Sequence, residues 1–193
     1  MKLVYVTNVI NETTGLEPMI SVQTNYFIEH YNYNIDIVLL EQSSDGDEEF
    51  FDFHKNINRY YLDCEVRGYR RFLSKLKRLN NVLNTIEVDI IVVCVDDISG
   101  LFLPNFIKKK CKFVYQRHCA KHINLDASGN SPQSKLANSI KKFLVGYGGK
   151  GYDKFVILSD DHRNDWKRIR NIEVIGNPLT IETDDSIASL DTQ

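Results

Sequence analysis

His118 closes the run Val114-Tyr115-Gln116-Arg117-His118, and its imidazole is suited to donating a hydrogen bond or exchanging a proton near neutral pH. A lone histidine can equally be a structural hydrogen-bonding group. Arg117 alternates to the other side of the same strand and is a weaker candidate. Asp96-Asp97 could present paired carboxylates to hydroxyl groups or serve as a base; the competing role is Asp97 as cap of the following helix. His118, Cys119 and His122 lie within five residues of one another, a spacing that makes poor tetrahedral geometry, so no metal is expected. Gly146-Tyr147-Gly148-Gly149-Lys150-Gly151 matches G-x-G-x-x-G letter for letter. Here, however, a helix precedes the glycines and a strand follows, which would turn the negative end of the helix dipole toward a phosphate. The segment reads as a helix stop and turn, and no cofactor is expected.

Apolar runs predict strands at Leu3–Thr7, Ile35–Leu40, Ile57–Leu62, Ile90–Val95, Phe113–Gln116, Phe155–Leu158 and Ile172–Ile175. Helical spacing predicts Leu16–His30 with Ile20, Tyr26, Phe27 and Tyr31 inward. It also predicts Tyr69–Thr85, with Tyr69, Phe72, Leu73, Leu76, Leu79 and Leu83 inward. A helix is expected over Ser99–Lys109. Another opens at Ser131-Pro132 and runs to Val145 with Leu136, Ile140, Phe143 and Leu144 inward. Ser159 with Asp160 and Asp161 predicts the start of a short helix carrying Trp166, and Pro178 ends the last strand. Strands alternating with helices predict a Rossmann-like, doubly wound α/β fold with a mainly parallel sheet. In such a sheet, Thr14, Gly15, Leu16, Asp96, Arg117, His118, Ser159 and Asn177 all follow strand carboxyl ends, where ligands bind.

The 193 residues suit one large domain, and 42% hydrophobic content supplies its core. A net charge of -2 argues against a surface built to grip nucleic acid. Cys64, Cys94, Cys111 and Cys119 have no C-x-x-C spacing and read as reduced thiols of a cytoplasmic protein. No apolar run reaches the roughly 18 to 20 residues of a membrane span. The charge is segregated: Arg70, Arg71, Lys75, Lys77 and Arg78 crowd the second long helix with no acid between Gly68 and Ile86. Such a helix could rest on anionic headgroups at the inner face of a membrane, or be a solvated face opposing the acidic segment 45–52.

The stretch from Tyr152 to Leu179, YDKFVILSDDHRNDWKRIRNIEVIGNPL, resembles the end of the N-terminal domain in family 4 glycosyltransferases of the GT-B fold. There, too, a strand ending in Ser, a short helix and a strand ending in Asn-Pro lead to a second domain. The resemblance implies an acceptor-side domain over residues 1–180, a truncated linker over 181–193, and a retaining transfer of sugar from a nucleotide-sugar donor to a glycan or lipid-linked acceptor. It implies polysaccharide assembly for the cell envelope as the setting. It puts His118 in the cleft near the transferred sugar, and puts Thr14-Gly15-Leu16 where the family carries a Gly-Gly pair facing donor phosphates or acceptor. The donor is held by the family's C-terminal domain, absent after Pro178, so the chain alone is expected to be inactive. Two other classes compete: a non-catalytic binding module that docks a partner protein, and a nicotinamide oxidoreductase, which the misplaced glycines oppose.

Overall fold

The computed structural model describes residues 1–10, 15–41, 51–62, 69–119, 139–141, 143–145 and 147–178, without the side chains of 69–72. Seven strands form one sheet: β1 (Lys2–Thr7), β2 (Asn34–Leu39), β3 (Asn58–Tyr61), β4 (Ile90–Cys94), β5 (Lys112–Gln116), β6 (Lys154–Ile157) and β7 (Ile172–Val174). Their order is β3-β2-β1-β4-β5-β6-β7, and every pairing is parallel. The Rossmann-like α/β architecture expected from the sequence is therefore present. The chain runs outward from β1 to β3, then returns to the other side of β1 and runs outward again through β4 to β7. The crevice between the carboxyl ends of β1 and β4 is thus the topological switch point, where open α/β sheets bind ligands.

Both sheet faces are buried, which is why the central strands are apolar at successive positions instead of alternating. On one face, Val4, Val6, Ile91, Val93, Tyr115 and Phe155 pack with Leu76, Leu79 and Leu83 of α2 (Tyr69–Thr85) and with Leu101 of α3 (Ile98–Phe102). On the other, Tyr5, Ile37, Val92 and Cys94 pack with Met19 and Ile20 of α1 (Leu16–Tyr31).

Several helix details differ from expectation. In α1, Tyr26 and Tyr31 are exposed; the inner stripe is Ile20 with Glu17, Ser21 and Thr24. The two tyrosines join His30, Phe27 and Tyr33 in an aromatic cluster at the helix end. In α2, Leu73 is exposed, and the side chains of Tyr69 and Phe72 lie outside the described residues. The helix expected over Ser99–Lys109 breaks after Phe102 into a 3-10 turn, Leu103–Asn105, because Pro104 lacks the amide hydrogen a continuing α-helix needs. The start of the Ser131 helix and Leu136 lie outside the described residues. Its described residues, 139–141, 143–145 and 147, bury Val145 and leave Ile140, Phe143 and Leu144 exposed, the reverse of the expected facing.

Candidate functional site

The carboxyl ends of β4, β5 and β6 carry a linked set of polar groups. Arg117, just past β5, is almost wholly buried, and its guanidinium is engaged through two of its nitrogens. Its Nη1 donates to the Asp96 carbonyl at 2.8 Å and to the Tyr115 hydroxyl at 3.3 Å, and pairs with Asp96 Oδ1 at 3.3 Å. Its Nε donates to the Cys119 carbonyl at 3.0 Å. The Tyr115 hydroxyl in turn donates to the Val95 carbonyl at 2.8 Å. Trp166 covers the guanidinium, with its ring centre 5.8 Å from Cζ. Burial works against the Arg117 charge, but Tyr115 and Asp96 outweigh it and hold the group firmly cationic. Arg117 therefore ties β4 to β5 at the sheet edge.

Asp96 is engaged from two directions. Besides Arg117, the backbone N–H of His118 donates to Asp96 Oδ1 at 3.4 Å. One carboxylate thus sets the course of the chain leaving β5. Asp97 accepts from the Gly100 N–H at 3.0 Å as the cap of α3, the alternative weighed for it in the sequence.

His118 has an imidazole of a different kind. Both ring nitrogens are buried, and among the described residues neither has a hydrogen-bond partner of good geometry. Burial lowers its pKa below the ordinary value, opposed by the nearby Asp96 carboxylate and the Asn177 side chain, while Arg117 lowers it further. The result is a neutral ring at neutral pH, able to accept through one nitrogen and donate through the other. Asn177 stands beside it, so the ends of β5 and β7 meet at this ring. A small recess of about 40 Å³ opens next to it, lined by Arg117, His118, Cys119, Leu158, His162 and Trp166.

Ser159 holds the N-cap position of the segment after β6, with Asp160 and Asp161 in the first turn as expected, but its side chain makes no capping bond. Its hydroxyl instead lies 3.2 Å from His162 Nδ1, and Asp160–Trp166 is a 3-10 helix. Gly15 is the residue preceding α1, with an ordinary φ of -73°, and a Cβ there would meet nothing within 4 Å among the described residues. Neither conformation nor packing requires glycine at that position. Leu16 begins α1 and is partly buried; Thr14 lies outside the described residues. On α2, Lys75 pairs with Glu41 at 2.6 Å, Arg78 is exposed, and the side chains of Arg70 and Arg71 lie outside the described residues.

The sequence reading missed the polar lattice behind the site. Gln116 Nε2 donates to Gln23 Oε1 of α1 at 3.2 Å, Cys94 Sγ donates to Gln116 Oε1 at 3.3 Å, and the Tyr5 hydroxyl reaches Gln23 at 3.4 Å. The available signal was a glutamine on the inward phase of β5. No described group of His, Cys, Asp and Glu could hold a metal ion.

The shape of the chain has counterparts among solved structures. A lipopolysaccharide outer core galactosyltransferase, WaaB in its apo form, matches with a TM-score of 0.67 at 16% identity, over 95% of this chain and 47% of that one. The fold is one found in half of a GT-B glycosyltransferase. A UDP-GlcNAc 2-epimerase from Neisseria meningitidis bound to UDP-GlcNAc matches with a TM-score of 0.59 at 11% identity, over 92% and 46% of the two chains. A glycosyltransferase from Rickettsia africae matches with a TM-score of 0.55 at 15% identity, over 91% and 43%. This chain therefore spans about half the length of these relatives by fold. No protein-family model and no curated protein matches its sequence.

Proposed function

We propose that these residues form the acceptor-side, N-terminal domain of a retaining family 4 glycosyltransferase, which moves a sugar from a nucleotide-sugar donor to a glycan or lipid-linked acceptor of the cell envelope. The observation that carries this reading is the neutral, buried His118 imidazole, flanked by Asn177, at the carboxyl edge of a sheet that matches half of glycosyltransferase chains. With the ring turned toward the recess, an acceptor hydroxyl there would find a hydrogen-bond acceptor in one ring nitrogen. A donor-sugar hydroxyl would find a donor in the other N–H. Arg117 and Asp96 position the ring from behind, and Asn177 flanks it. Gly15 leaves the start of α1 open for close approach by a ligand.

A single Rossmann unit supplies one wall of a cleft. Stabilising an oxocarbenium-like transition state needs the second, donor-binding wall, in the same polypeptide or in a partner. Val174 and Ile175, exposed just ahead of Asn177-Pro178, support a face made to meet such a domain, and speak against a self-sufficient binding module. In this reading the protein works in the cytoplasm, on the inner face of the membrane.

The test is an amide-resolved NMR titration of the ¹⁵N-labelled chain with short saccharides and with nucleotide sugars. Saccharides should shift Gly15, His118, Ser159 and Asn177, whereas nucleotide sugars should bind weakly or not at all. Tight nucleotide-sugar binding at the 146–151 glycines, with the His118 edge silent, would reject the assignment.

A further inference from the structure

The opposite edge of the sheet carries a second concave site. Ahead of β6 and β7, a hollow of about 520 Å³ is lined by Gly149, Lys150, Tyr152, Lys167, Arg168, Ile169, Arg170 and Asn171. Four of these are exposed cations, and among the described residues no carboxylate lines the hollow. Tyr147 joins it to the neighbouring helical segment: Lys150 Nζ and Arg168 Cζ each lie 4.6 Å from its ring centre. The Phe143 ring lies tilted at 43° against Tyr147, with ring centres 4.6 Å apart. One turn away are Ile140 and Leu144, both exposed, on the same helical side by their spacing of three and four residues. Lys141 is exposed beside them.

We infer that this surface binds an anionic phospholipid bilayer, with a headgroup phosphate in the basic hollow and Ile140, Phe143 and Leu144 entering the apolar boundary. Two features choose this occupant. A water-soluble phosphorylated ligand would account for the cations but not for Phe143, which is 61% exposed next to them. An apolar protein partner would account for the helix but not for an acid-free ring of four cations. Aromatic and aliphatic side chains bordered by Lys and Arg are the chemistry of the bilayer interface. Two glycines contribute by packing: Gly148 and Gly149 press against Leu101 and Phe155, which brings Lys150 to the rim. A phosphate here is held by side-chain cations, so the unfavourable helix dipole is no obstacle. The inference does not depend on glycosyl transfer, and it places the lipid-facing surface away from α2.

The experiment is co-sedimentation of the chain with phosphatidylglycerol vesicles and with phosphatidylcholine vesicles, with far-UV dichroism confirming each variant is folded. The chain should sediment with the anionic vesicles only, and release as salt is raised. K150E/R168E should lower the partition coefficient at least roughly tenfold, F143S/L144S should do the same, and K77E/R78E on α2 should change it little. Equal sedimentation with phosphatidylcholine, or loss in K77E/R78E alone, would overturn the inference. So would sn-glycerol 3-phosphate binding as tightly as the vesicles, which would mean a soluble phosphorylated ligand. A concentration-dependent dimer abolished by F143S/L144S, with no vesicle binding, would assign the face to self-association instead.

Discussion

Arg117 Nη1 lies 3.3 Å from Asp96 Oδ1 and 2.8 Å from the Asp96 carbonyl, so one guanidinium closes the gap between the ends of β4 and β5. The pair is asymmetric: the Arg117 side chain is 5% exposed, the Asp96 side chain 24%. Removing the arginine leaves three acceptors, the Asp96 and Cys119 carbonyls and the Tyr115 hydroxyl, short of a donor. Arg117→Met keeps much of the volume under Trp166 and should still cost about 3 kcal/mol in urea unfolding, toward the low end for breaking a buried pair because water reaches Asp96. Asp96→Asn, which keeps the backbone contacts, should cost about 1 kcal/mol. A loss below about 0.5 kcal/mol in Arg117→Met would show that the edge holds without it.

His118 should titrate below 6.5, its ordinary value, because burial disfavours the imidazolium. The sign follows from linkage. Between the lowered folded value and 6.5, the unfolded chain binds more protons than the folded one, so stability rises with pH across that window. The contribution is fully present above 6.5 and is lost as pH falls through the window. His118→Gln should flatten the stability profile there while leaving it unchanged above neutrality. Following the ring Hε1 resonance gives a direct check. Asp96→Asn should move its midpoint further down, since the carboxylate favours the charged ring; an upward move would contradict the electrostatic account.

How much of this was legible beforehand depends on the physics involved. Central parallel strands buried on both faces write themselves as apolar runs; the edge strands β3 and β7 are largely exposed, yet all seven strands were located to within a residue or two at each end. Helix facing was less legible. Ile140, Phe143 and Leu144 have core-like chemistry and helical spacing, but the sequence does not say which side meets the sheet; Val145 does. Ser159 preceding two acids has the form of a cap, yet its hydroxyl turns to His162, a competition between local acceptors that residue order does not resolve. Arg117 was discounted on strand alternation. It does lie on the Tyr115 side, and its length carries the guanidinium around to Asp96.

Gly149 is a position where glycine is structurally required. Its φ is +83°, and a Cβ would sit 2.6 Å from the Phe155 ring. Phe155 is fully buried between Tyr115 and Trp166, so the ring has little room to yield. Gly149→Ala should destabilise the domain by about 2 to 4 kcal/mol, from backbone strain plus overpacking. Thermal unfolding measures it, and an unchanged midpoint would refute the packing role given to this glycine.

Gly15 supplies the contrasting case, and a sharper one for function. Its φ of -73° suits any residue, and an added methyl group would meet none of the described residues within 4 Å. Replacing it with alanine should leave stability unchanged or raise it by about 0.5 kcal/mol, because the unfolded chain loses conformational freedom. If the start of α1 is where a ligand comes close to the backbone, the same methyl group occupies ligand space. In an enzyme that includes a donor-binding domain, Gly15→Ala should then lower kcat/KM at least tenfold with no loss of stability. Gly15→Ser, slightly larger and polar, should lower it further. Stability and activity moving together would mean that Gly15 only shapes the turn. A stable, fully active Gly15→Ala enzyme would move the ligand away from the switch point between β1 and β4, leaving the His118 end of the sheet edge as the site.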